Sequence, residues 1–209
     1  MAKTKGGVEM SVSLQKGQKI SLTKDNDRLN KIIIGLGWDA KSEDKGFLGG
    51  FFGGGSGSNI DCDASAFLLQ NGKLIYKEDV VFFGNLKHLS KAVIHTGDNL
   101  TGEGDGDDEQ IIVELKNVPT IYDKIVIVVN IFRAYERHQH FGMIQNAFIR
   151  IVNAETNKEM CRYNLTDDYT DCTAMIFGEV YRYNNEWKFN AIGQGTKDLD
   201  LSELVKRYI

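Results

Sequence analysis

Six carboxylates crowd into one stretch, HTGDNLTGEGDGDDEQ from His95 to Gln110: Asp98, Glu103, Asp105, Asp107, Asp108 and Glu109. Two unit charges about 5 Å apart repel by roughly 3 kcal/mol at an effective dielectric near 20. Several such pairs rival the roughly 5–15 kcal/mol that keeps a whole domain folded. A bound dication reverses the sign of that term. Calcium accepts carboxylate, amide and carbonyl oxygens in flexible geometry, and glycines at 97, 102, 104 and 106 let the main chain turn carbonyls inward. Asp98, Asn99 and Thr101 add oxygen side chains. Magnesium is stricter and keeps more of its water, so this loop favours calcium. It is not an EF-hand: a start at Asp98 puts Leu100 third, and a start at Asp105 puts Gln110 where glycine belongs. The competing reading is a solvated acidic loop that binds nothing. The alternation with glycine, and the strands expected on both sides, favour an ordered site.

Other chemistry is weaker. GLGWDAKS, Gly35 to Ser42, approaches a phosphate-binding loop, but Ala40 replaces its second glycine and Asp39 would face phosphate oxygens. DCDAS, Asp61 to Ser65, has the spacing of aspartyl-phosphate enzymes, which place that motif at the end of a parallel strand in an α/β sheet. This chain lacks the alternating helices. His138 and His140 would supply only two zinc ligands with no third nearby, so they are expected at the surface. Cys62, Cys161 and Cys172 are odd in number and far apart, which fits free, mostly buried thiols rather than a disulfide or CxxC site.

The elements that must hold these residues are strands. Alternating or β-branched runs occupy Val12 to Leu14, Ile20 to Leu22, Lys31 to Leu36, Ala66 to Leu69, Ile111 to Leu115, Lys124 to Ile131, Ala147 to Val152, Met160 to Leu165, Ala174 to Tyr183 and Trp187 to Ile192. Asn71-Gly72 and Asn184-Asn185-Glu186 mark turns. A helix pattern occurs near the end, where Asp200 or Ser202 would cap Leu201, Leu204, Val205 and Tyr208. The expectation is an all-β chain: a β-sandwich of two mainly antiparallel sheets with a short C-terminal helix. At 209 residues one domain over 1–209 suffices, interrupted by a Gly/Phe-rich insertion at 46–59 that carries Phe47, Leu48, Phe51 and Phe52. That insertion reads either as a surface excursion folded back on the sandwich or as an adhesive flap. A net charge of −4 argues against nucleic acid, and neither a signal peptide nor an apolar span is apparent, so the cytoplasm is expected.

Taken together, VSLQKGQKISLTK, IGLGWDA (34–40), DASAFLL (63–69), HTGDNLTGEGDGDDE (95–109), NAFIRIVN (146–153) and TAMIFGEVYRYNNEWKFNAIGQG (173–195) closely resemble the TerD family of tellurium-resistance and general stress proteins. The resemblance covers nearly the whole chain and rests on the order of many motifs. It implies a calcium-binding β-sandwich of the bacterial cytoplasm, working in tellurite and other stress with other Ter proteins and with the membrane protein TerC, and so peripheral at the inner membrane through partners. The family's acidic cluster maps onto Asp98, Asn99, Thr101, Gly102, Gly104, Asp107, Asp108 and Glu109, with Asp39, Asp61 and Asp63 contributing from neighbouring loops and one or two calcium ions bound. The insertion before Asp61 departs from the family pattern. The expected activity is non-catalytic. The alternatives are a metal-dependent hydrolase or phosphotransferase using the same carboxylates, and a scaffold in which calcium only stabilises the fold. Direct tellurite chemistry fits poorly, because an acidic cluster repels an oxyanion and the cysteines lack redox spacing.

Overall fold

The computed structural model describes residues 11–24, 26–40, 60–97 and 106–209. The expected insertion at 46–59 and the segment 98–105 lie outside the described residues. The strands are β1 (Val12–Leu14), β2 (Lys19–Ser21), β3 (Lys31–Ala40), β4 (Cys62–Leu69), β5 (Val80–Val81), β6 (Val93–His95), β7 (Glu109–Glu114), β8 (Lys124–Ile131), β9 (Ile144–Asn153), β10 (Lys158–Asn164), β11 (Ala174–Tyr183) and β12 (Glu186–Thr196). Two short helices accompany them, α1 (Ala134–Arg137) and α2 (Leu201–Lys206).

Two six-stranded sheets pack face to face, in the orders β1-β10-β9-β3-β7-β6 and β2-β12-β11-β8-β4-β5. Only the β1–β10 pair is parallel among the described strands. The shared core is filled from both sheets by residues such as Ile34, Leu36, Ile111 and Ile149 on one side and Ala64, Ile127, Phe177 and Phe189 on the other. Strand β7 shows the alternation expected of a sheet with one wet face: Glu109, Ile111 and Val113 are buried, while Gln110, Ile112 and Glu114 are half-exposed. Strand β4 is buried along its entire length instead. Over its second half the outer face is covered by Leu201, Leu204 and Val205 of α2 and by Tyr208 just after it, which pack on a second cluster containing Phe67, Leu69, Val126 and Ile176.

Turn chemistry fixes the registers. Asn184 and Asn185 take φ of 52° and 62°, the left-handed pair that a two-residue hairpin requires, and Tyr183 faces Glu186 across it. Asn71 and Gly72 repeat the device at φ 52° and 77°, closing Gln70 onto Lys73. At the other end of the chain Asp200 is the helix cap: its Oδ1 accepts from the Glu203 N–H at 3.0 Å and from the Ser202 hydroxyl at 2.6 Å. The Glu203 carboxylate returns to the Leu199 N–H at 2.8 Å.

Hydrogen bonds from Ser202 and from the backbone hold the Asp200 carboxyl below its ordinary 3.8. A depressed carboxyl contributes stability above its unfolded pKa and loses it as pH falls through the folded value. Asp200→Ala should therefore cost about 1 kcal/mol near neutrality, a fall in melting midpoint of roughly 2–4 °C. Asp200→Asn should stay close to the parent. The gap between parent and Ala variant should shrink below about pH 4 in a thermal-melt series.

Candidate metal centre

Four chain segments meet at one end of the sandwich: the end of β3, the starts of β4 and β7, and the end of β8. Leu36 of β3 is opposite Glu109 of β7 in one sheet, and Asp63 of β4 is opposite Asn130 of β8 in the other. Strand β5 pairs only with Ala66 and Phe67, so it does not reach the start of β4. Glu109 fills that gap, its Oε2 accepting the Ala64 N–H at 2.6 Å across the two sheets. Asp61, Asp63 and Glu109 are 8%, 6% and 1% exposed. Asp63 accepts a long 3.5 Å contact from the Asn130 amide, and Asp61 stands 3.8 Å from Arg137. Asp108 Oδ2 accepts the Trp38 N–H at 2.8 Å, while its own N–H donates to the Leu36 carbonyl at 2.7 Å. Exposed Asp39 lies just past a bulge in β3 and accepts from the Asn146 amide at 2.7 Å.

The electrostatics of this end are those of excess negative charge. Burial pushes the Cys62 thiol well above its ordinary value, and Glu109, Asp63, Asp61 and Asp108 each push it further. Asp61 and Asp63 act on it as its chain neighbours, Asp108 and Glu109 from the facing sheet. Burial also raises the Asp108 carboxyl; Asp39 and Asp107 add repulsion, against the Trp38 N–H that favours the charged form. Arg137 is partly exposed, and His95 Nε2 lies 3.6 Å from Glu109 Oε2, beyond good hydrogen-bond reach. An all-oxygen, net-negative donor set suits a hard cation. Among the described residues, however, no three His, Cys, Asp or Glu side chains form a complete metal-holding group. Asp98, Asn99, Thr101, Gly102 and Gly104, the other expected ligands, lie outside the described residues.

Asp107 requires a correction. It points to the outer face of its sheet, where Arg150 grips it in a fork, Nε to Oδ1 at 2.7 Å and Nη2 to Oδ2 at 3.1 Å, and Gln110 donates to Oδ2 at 3.0 Å. Its side chain is 1% exposed, so its charge is met within the protein rather than turned toward Asp61, Asp63 and Glu109. The glycines of GLGWDA make this possible. A Cβ on Gly35 would collide with the Asp107 carboxylate, and one on Gly37 would strike the Phe148 ring and come within 2.8 Å of the Gly106 carbonyl. Arg150, His95 and the Ala64 N–H escaped the sequence reading. Only Arg150 left a signal, as the lone charge inside the apolar run AFIRIV. The histidines behave as expected: His138 is exposed and His140 half-exposed. The three cysteines are free, with Cys62 and Cys161 buried.

Residues 10–208 match the model of the TerD domain. The chain belongs to the TerD family. Its similarity to the stress response protein SCP2 of Bacillus subtilis (strain 168) is 52% identity over 200 residues, spanning 96% of this chain and 100% of that protein. The tellurium resistance protein TerD of Serratia marcescens is 49% identical over 187 residues, 89% of this chain and 91% of that one. A crystal structure of a telluride resistance protein (TerD) homologue from Streptomyces coelicolor A3(2) superposes with a TM-score of 0.59, at 18% identity, covering 83% of this chain and 94% of the other. That likeness carries the sandwich fold.

Two neighbouring carboxylates of this TerD-family site should respond oppositely in metal-free buffer. Asp107→Asn breaks a charge-assisted fork and should lower stability by about 1–3 kcal/mol. Asp108→Asn keeps an oxygen for the Trp38 N–H while removing repulsion, so it should match or exceed the parent. Denaturant unfolding of both variants in chelator checks the contrast; equal losses would show that Asp108 is not under repulsion.

Proposed function

We propose that this TerD-family chain is a calcium-binding, non-catalytic module of the bacterial stress response, tellurite resistance among its settings. The carrying observation is the bond from the Ala64 N–H to Glu109, which ties together across the two sheets the strand ends bearing Asp63, Asp108 and Glu109, with Asp61 just before β4. Asp39 adds an exposed carboxylate from the β3 bulge. With Asp98, Asn99, Thr101, Gly102 and Gly104 from the sequence, these oxygens would hold one or two ions. Asp107 supports the site from outside through its ion pair with Arg150.

The names of the relatives support the stress assignment; a cytoplasmic setting among other Ter proteins and the membrane protein TerC belongs to the same proposal. The non-catalytic reading draws on Ser65 and β4. Ser65 of the Asp-Cys-Asp-Ala-Ser motif is 0% exposed, so its hydroxyl is not presented to a substrate. Strand β4 is antiparallel to both neighbours, unlike the parallel strand on which aspartyl-phosphate chemistry is usually built.

Calcium that binds the native site and finds no organised site in the unfolded chain must stabilise the fold. At one hundred times its dissociation constant one ion should add about 2.7 kcal/mol, raising the melting midpoint by roughly 5–10 °C. Calorimetric titration of metal-stripped protein should show calcium binding that magnesium displaces poorly. Asp63→Asn should weaken it at least about tenfold, the loss of one charged oxygen ligand. Identical melting curves in chelator and in millimolar calcium would overturn the proposal.

A further inference from the structure

The opposite end of the sandwich carries a different surface. A buried network holds three loops together there: the Tyr122 hydroxyl donates to Asp79 Oδ1 at 2.6 Å, His88 Nε2 lies 3.2 Å from the same oxygen, and the His88 and Tyr122 rings meet edge to face at 5.3 Å. Asp79, His88 and Tyr122 are 2%, 3% and 5% exposed. Each member sits beside an apolar side chain that the fold leaves in solvent. Tyr76, whose carbonyl accepts the Asp79 N–H, is 59% exposed; Leu89, next to His88, is 79% exposed; Ile121, next to Tyr122, is 58% exposed. These exposed side chains come from three separate loops that the network holds together.

Charge is arranged around them. The stretch from Lys73 to Lys91 contains Lys73, Lys77, Lys87 and Lys91 but only two acids, in a chain whose net charge is −4. One of those acids, Asp79, is buried in the network. All four lysines are exposed, and Lys87 and Lys91 flank Leu89 two residues to either side. Long lysine stems lie along apolar surface while their ammonium heads reach phosphate. The eight residues of β4 separate this end from the carboxylates by roughly 25 Å. That exceeds a Debye length of about 8–10 Å, so the acidic end does not oppose approach to a negative surface.

We infer that the Tyr76–Leu89–Ile121 end docks peripherally on an anionic lipid bilayer, the tips entering the interface and the lysines meeting headgroup phosphates. No helix among the described residues is long and apolar enough to cross a membrane, so contact rests on this end. The inference is independent of calcium, because the surface lies at the other end of the fold.

The test is flotation of the full chain with phosphatidylethanolamine–phosphatidylglycerol vesicles and with phosphatidylcholine vesicles, in chelator. Binding should occur on the anionic vesicles only and weaken as salt rises. Leu89→Ser, and separately Lys87→Glu with Lys91→Glu, should each cut the bound fraction at least about tenfold while leaving the melting midpoint unchanged. Lys16→Glu with Lys197→Glu, the same charge change elsewhere, should leave binding near parental. An environment-sensitive dye on Leu89→Cys should shift to the blue on anionic vesicles, an independent reading should either variant unfold. Absence of binding, binding only when calcium is added, or equal losses from the control pair would overturn the inference. Retention on an acidic protein column without vesicle binding would also overturn it, assigning the surface to a protein partner.

Discussion

Glu109 spans the sandwich, and the arrangement of the carboxylate end depends on its bond to the Ala64 N–H. A carboxylate at 1% exposure is costly unless its oxygens are met by donors. The donor here is available for a topological reason: β5 covers Ala66 and Phe67 only, so the start of β4 presents a main-chain N–H that its neighbouring strand does not reach. By closing that bond Glu109 fixes the ends of two sheets against each other. Asp108, which follows β3 through the Leu36 carbonyl, precedes Glu109 at this end, where Asp63 starts β4 and Asp61 lies just before it. Convergence of like charge is thus a consequence of how the sheets are stapled.

Strand geometry divides the acidic stretch into two electrostatic parts. Side chains two apart share a face while a strand is regular, yet Asp107 precedes β7 and turns outward, whereas Glu109 opens β7 and turns inward. Outward, Asp107 meets Arg150 in a chain of charges that continues through Glu159, 3.3 Å from Arg150, to Arg162, 3.6 Å from Glu159. Inward, Glu109 accepts the Ala64 N–H of the facing sheet. The two glycines of β3 separate these faces, since Gly35 leaves room for the Asp107 carboxylate and Gly37 for the Phe148 ring. A motif that reads as a defective phosphate loop is a strand thinned to admit side chains from its neighbours.

Strands with long apolar or β-branched runs were legible residue by residue. Lys124–Ile131 and Ala174–Tyr183 match their expected limits, because sandwich burial and side-chain pattern agree there. Strand β4 begins four residues before its expected start at Ala66, since Asp63 and Ser65 look like loop residues yet are buried. Strands β5 and β6 escaped notice because two or three residues carry no period. The acidic composition singled out one end of the molecule, but sequence spacing could not tell which way each carboxylate turns. That depends on where the chain leaves the extended conformation and on Arg150, forty-three residues further on. The Ala64 donor was invisible for a deeper reason: a backbone N–H has no sequence signature until the length of its neighbouring strand is known.

The two ends of the fold treat buried carboxylate in contrasting ways. Asp79 receives a tyrosine hydroxyl and an imidazole nitrogen on one oxygen, and the donors close three loops into a compact network. At the other end burial raises the Asp108 carboxyl, and the charges of Asp39 and Asp107 add to that rise. On the proposed reading a cation bound at this end would stabilise it, because a dication attracts each carboxylate that the neighbouring carboxylates repel. Oxygens on both sheets sharing an ion would add to the Glu109–Ala64 tie, and folding and occupancy would then be linked.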